Sequence, residues 1–90
     1  MPGSCEAAMT LTGDLHARPA GSLAVTAARF QSVVELSVGA SMADAKSVLA
    51  VMGLGATRGQ QITVRAVGPD AAEAVAAMIG ILAEATPVGG

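Results

Sequence analysis

The chain has 90 residues, a formal net charge of −2 and 52% hydrophobic residues, with Phe30 as its single aromatic. That length suits one domain, residues 1–90, and the missing basic footprint and stacking platform argue against nucleic-acid binding. The lone Cys5 precludes an internal disulfide, the opening "MPGSCEAAMT" reads as no secretory leader, and no apolar stretch is long enough to insert in a membrane, so a soluble cytoplasmic domain is the expectation.

In chain order, residues 6–11 ("EAAMTL") predict a first strand with Ala7, Met9 and Leu11 on one face. Residues 17–29 place Ala20, Leu23, Ala24 and Ala27 on one stripe leading to Phe30, with Arg18 and Arg29 off it, which is helical spacing. Residues 32–38 ("SVVELSV") alternate Val34, Leu36 and Val38 against Glu35 and Ser37, the pattern of a half-buried strand. Gly39 marks a turn, and "ASMAD" predicts a short strand. In "KSVLAVMGLG", Ser47 reads as the N-cap of one or two helical turns that Gly53 and Gly55 end.

"QITVRAV" alternates again, with Ile62, Val64 and Ala66 inward and Thr63 and Arg65 outward. Asp70 with Glu73 three residues on predicts a capping box, opening a helix with Ala74, Met78, Ile81 and Leu82 as its apolar stripe. The closing "TPVGG" is expected to fray. Strand, helix, two strands, short helix, strand and helix together suit an α+β two-layer sandwich, an antiparallel sheet covered on one face by three helices.

The chemistry gathers in "GDLHARPAGSL", which holds the only histidine. His16 stands where a loop becomes a helix, and a first helical turn offers unpaired N–H groups and the positive end of the dipole to an anion. Pro19 has no N–H to lose there, and Arg18 brings a guanidinium that grips phosphate oxygens in two-pronged fashion. An imidazole beside such a cradle is a nucleophile available near neutral pH whose phosphoryl adduct the surroundings stabilise. Chemistry alone leaves a plain cap or surface histidine open as the alternative.

"LHARPA" at 15–20, "KSVLAVMGLGA" at 46–56 and "RGQQITVRAVGPDAAEA" at 58–74 together resemble, at matching separations, the HPr family. These are the histidine-containing phosphocarriers of the bacterial phosphoenolpyruvate:sugar phosphotransferase system. The resemblance covers almost the whole chain. It implies an open-faced sandwich in βαββαβα order, and a protein that is a substrate passed between enzymes more than an enzyme itself, with no cofactor. By resemblance, His16 accepts a phosphoryl group on Nδ1 from phosphorylated Enzyme I and passes it to EIIA domains. Arg18 neutralises the phosphate, and the N–H groups of Ala17 and Arg18 bind its oxygens.

The same resemblance makes Ser47 a regulatory site for an HPr kinase/phosphorylase, with Lys46 beside it, and suggests a transcriptional regulator as a further partner of a monomeric carrier. A phosphate at a helix N-cap is locally favourable, and its charge would oppose docking of an acidic partner. The null for Ser47 is a simple cap. Val48, Leu49, Val51 and Met52 are more apolar residues than so short a helix buries. Val51 suits the core, while Val48, Leu49 and Met52 resemble the family's partner-docking patch.

Asp14 departs from the family, which usually has Gly there; a carboxylate so close is expected to favour protonated imidazole and to repel an incoming phosphoryl group. One His and one Cys make no metal site, and "GLGATRG" lacks the Lys-Ser/Thr of a phosphate-binding loop. Two competing functions share these residues. One is a carrier of a nitrogen-related or dihydroxyacetone-kinase branch; the other is a regulatory module that docks through residues 47–52 without phosphoryl transfer.

Overall fold

The computed structural model describes residues 3–84. The elements are β1 (Gly3–Thr10), α1 (Ala17–Ala27), β2 (Val33–Val38), β3 (Ser41–Asp44), α2 (Val48–Gly53), β4 (Gln61–Gly68) and α3 (Ala71–Glu84). Every strand pairing is antiparallel, and the sheet order is β1-β4-β2-β3. This is the expected α+β order with helices on one face of the sheet.

Register explains the core. Ala7, Val64, Leu36 and Ala43 lie opposite one another across the four strands, and Cys5, Ala66 and Val34 form the next inward row. Because side chains alternate along a strand, these rows share the face that α3 and its neighbours cover. Leu36, Val34, Ile62 and Val64 are fully enclosed, joined by Leu23 from α1, Val51 from α2 and Met78 from α3. Burial of each such Leu, Ile or Met contributes roughly 1.5–3 kcal/mol, enough for an aliphatic core with almost no aromatic content. The opposite face stays open, with Glu6, Arg65, Glu35 and Asp44 in one cross-strand line.

Several boundaries differ from expectation, those of β1 and α1 most informatively. β1 begins at Gly3 rather than Glu6 and ends at Thr10, because its pairing with β4 runs from Gly3–Gly68 to Thr10–Gln61 whatever the side-chain pattern. Leu11 is buried but already in the loop, its N–H donating to the Gln60 carbonyl at 2.8 Å. α1 stops at Ala27; the Arg29 and Phe30 N–H groups then turn back to the Thr26 and Ala27 carbonyls, which tightens the exit. Gly39 makes the β2–β3 turn with φ 59, the left-handed value that a two-residue hairpin turn asks of its first central residue. The closing segment expected to fray lies outside the described residues.

The largest correction concerns Asp70. Instead of closing a local capping box with Glu73, its carboxylate reaches across to the start of β2. There it accepts from the Gln31 N–H at 2.9 Å, the Ser32 N–H at 2.9 Å and the Ser32 hydroxyl at 2.5 Å. The Ser32 hydroxyl first, then the Gln31 N–H, hold this carboxyl below its ordinary 3.8. Ser32 is fully buried, and Gly68 makes room for it: a Cβ on Gly68 would meet Ser32 Cα at 2.6 Å, and its φ of 150 suits glycine alone.

Candidate functional site

His16 is the N-cap of α1, with extended backbone (φ −89, ψ 179), and its exposed side chain makes no capping hydrogen bond. The His16 carbonyl takes the Ala20 N–H at 3.1 Å, closing the first turn. The N–H groups of Ala17 and Arg18 precede that bond and have no acceptor within the helix. Pro19 follows with no N–H, and the first turn holds no acidic residue. Arg18 is exposed and makes no hydrogen bond or ion pair among the described residues. The start of α1 therefore carries an exposed imidazole, an exposed arginine two residues on, two N–H groups with no acceptor in the helix and the positive end of the dipole.

The loop carrying His16 is held rigidly from one side. The Leu15 N–H donates to the Ala56 carbonyl at 3.0 Å, the Gly59 N–H to the Leu11 carbonyl at 2.8 Å, and Leu15 is buried. The Gln60 side chain accepts from the Thr57 N–H at 2.8 Å, bracing the opposing turn. Asp14 joins the same seam: its exposed carboxylate accepts from the Arg58 N–H at 2.9 Å. The charge expected to act on His16 thus has a partner of its own, supplied by a residue 44 positions away and invisible to local reading.

Ser47 caps α2 as expected, its hydroxyl accepting from the Ala50 N–H at 3.1 Å, and it remains half-exposed. Its own N–H donates to the Asp44 carbonyl at 3.0 Å, and the Asp44 carboxylate takes the neighbouring Lys46 N–H at 2.9 Å. On α2, Val51 is fully buried, Val48 is half-buried against the core, Leu49 is 83% exposed and Met52 43% exposed. α2 packs on α1, and the chain leaving α2 carries the Ala56 carbonyl that binds Leu15 at 3.0 Å, which ties the segment bearing Leu49 and Met52 to the histidine loop. Cys5 is half-buried in mid-strand opposite Ala66, and the described residues bring together no metal-ligand group of three His, Cys, Asp or Glu. No helix among them is long and apolar enough to cross a membrane.

The sequence singles out His16, Arg18 and Ser47 as candidates but gives no sign of the seam that carries the histidine loop. Its partners lie far apart in the chain, and Asp14 with Gln60 offered no local pattern. Residues 4–84 match the family model for the PTS HPr component phosphorylation site. The chain is similar to the solved histidine-containing phosphocarrier protein of Mycoplasma, at 31% identity over 98% of this chain and 100% of that one, with a TM-score of 0.81. It is similar also to the phosphocarrier protein HPr of Bacillus anthracis, at 27% identity over 89% and 98% of the two chains, TM-score 0.81. The Bacillus subtilis catabolite repression protein Crh, solved as a domain-swapped dimer, is 33% identical over 84% and 87%, TM-score 0.73.

Proposed function

The chain belongs to the HPr phosphocarrier family, and from that premise we propose that it relays phosphoryl groups in the phosphoenolpyruvate:sugar phosphotransferase system through His16. The observation that carries this reading is the open start of α1, where an exposed, uncapped histidine stands over free N–H groups with no acid in the first turn. The Nδ1 lone pair of neutral His16 attacks phosphorus in phosphorylated Enzyme I. An N–P bond forms as the bond from phosphorus to the donor breaks, and the donor side chain keeps that electron pair. The Ala17 and Arg18 N–H groups and the Arg18 guanidinium share the charge of the bound phosphoryl oxygens. Attack by an EIIA nucleophile then reverses the chemistry and frees the imidazole.

Leu49 and Met52, with the half-buried Val48, form the docking face for both partners, where an adaptable Met suits more than one surface. Phosphorylation of Ser47 by an HPr kinase/phosphorylase places a dianion beside that face and slows the relay, and the same form presents itself to a transcriptional regulator. The carrier works as a monomer in the cytoplasm.

The test is incubation with purified Enzyme I and phosphoenolpyruvate, followed by intact mass and site mapping. One acid-labile phosphate on His16, absent from His16→Ala, is the expected result. An unmodified protein in the presence of a competent Enzyme I would remove it from the general relay.

A further inference from the structure

One charged side chain beside His16 takes no part in the chemistry above. Asp14 lies two residues before His16, and its carboxylate binds the Arg58 N–H at 2.9 Å. The bond spans the seam between the histidine loop and residues 56–60, next to the Leu15–Ala56 bond at 3.0 Å. Two consequences follow from this placement. The loop gains a fourth fastening, closer in the chain to His16 than the two bonds at Leu11. The carboxylate also spends part of its acceptor capacity on a backbone donor that belongs to the 56–60 segment and not to α1.

We infer that Asp14 is a positioning residue for phosphoryl transfer, acting by fastening the histidine loop to the Arg58 N–H and by keeping its own charge directed into that seam. This rests on the phosphocarrier reading of His16. What the role demands of the side chain is a short acceptor at the right reach, and the negative charge is a liability that the bond contains. Asn keeps an acceptor oxygen at the same reach without the charge. Ala keeps neither, and Glu keeps the charge but moves the oxygens one methylene out of register, leaving a carboxylate free beside an incoming phosphoryl group.

The experiment is single-turnover and steady-state transfer from phosphorylated Enzyme I to wild type, Asp14→Asn, Asp14→Ala and Asp14→Glu, with amide exchange at Arg58 read on the same samples. Asn is expected to transfer within about two-fold of wild type and to protect the Arg58 amide. Ala should lose about five-fold in kcat, the net worth of one solvent-exposed hydrogen bond, with KM for the donor unchanged and the Arg58 amide exchanging faster. Glu should fall below Ala, because it adds repulsion to the lost fastening.

A merely structural role would lower thermal stability without this ranking or the rescue by Asn. An Ala variant as fast as wild type, an Asn variant as slow as Ala, or a change in KM alone would each overturn the positioning role. A wild type that takes up no phosphate would overturn the carrier reading and the positioning role together, whereas a competent wild type with an indifferent Ala variant overturns the positioning role alone.

Discussion

The starts of α1 and α3 face the same backbone problem, and their side chains are engaged in opposite ways. At α3, Asp70 precedes the first turn, Glu73 lies within it, and the Asp70 carboxylate is consumed by three donors from Gln31 and Ser32. At α1, the N-cap is an exposed histidine whose side chain caps nothing, and the first turn carries no acid. At α2 the side chain serves the helix itself, since the Ser47 hydroxyl takes the Ala50 N–H. Ser47 thus closes the start of α2 with its own oxygen and Asp70 ties the start of α3 to that of β2, whereas the side chain at the start of α1 is engaged in neither way. A closed start adds stability, about 1 kcal/mol for a typical cap. An open one forgoes that and keeps its donors for a ligand.

Substitutions at the open start should therefore alter chemistry and spare the fold, and those at the closed starts should do the reverse. His16→Ala is expected to reduce phosphate uptake to background while shifting unfolding by no more than about 0.5 kcal/mol, as intact mass and urea denaturation would read. Arg18→Gln should slow transfer about ten-fold, the worth of a charge-assisted hydrogen bond, again with little change in stability.

Gly68→Ala works from the other side: with Ser32 Cα only 2.6 Å from the new Cβ and φ at 150, it should cost at least about 2 kcal/mol in denaturation. The folded fraction should still accept phosphate. Ser47→Ala should cost about 1 kcal/mol through the lost cap and leave His16 competent.

The smallest effect is one of pH. The Asp70 carboxyl titrates lower in the folded chain than its ordinary 3.8. Its contribution to stability is therefore complete above that value and is lost as pH falls through the folded one. Wild type should destabilise on acidification below about pH 4 more steeply than Asp70→Asn, whose acid limb should be flatter in pH-dependent denaturation.

This division between open and closed starts was partly legible in the sequence. Ser47 before an apolar run and His16 before Pro19 are local patterns, and local patterns fix who caps whom within one turn. The alternation in residues 34–38 and 62–66 likewise marked two strands, because burial on one face leaves a period of two. Asp70 was misread for the same reason that Ser47 was read correctly. Its spacing to Glu73 has the form of a capping box, but donors 38 and 39 residues away compete for the carboxylate and win it. Asp14 shows the same limit, since its partner at Arg58 meets it only after the sheet has assembled. β1 was shortened at its start because Gly3, Ser4 and Cys5 carry almost no apolar signal, while their pairing to β4 depends on backbone groups alone.

The central claim is that the open start of α1 receives the phosphoryl group through its free N–H donors. The most direct measurement is an amide ¹H–¹⁵N correlation spectrum before and after phosphorylation by Enzyme I and phosphoenolpyruvate. The largest downfield shifts should fall at Ala17 and Arg18, with Ala50 at the capped start of α2, and Gln31 and Ser32 on the Asp70 carboxylate, nearly unmoved. Phosphorylated protein in which Ala17 and Arg18 stay in place, or in which the closed starts shift as much as the open one, would contradict it.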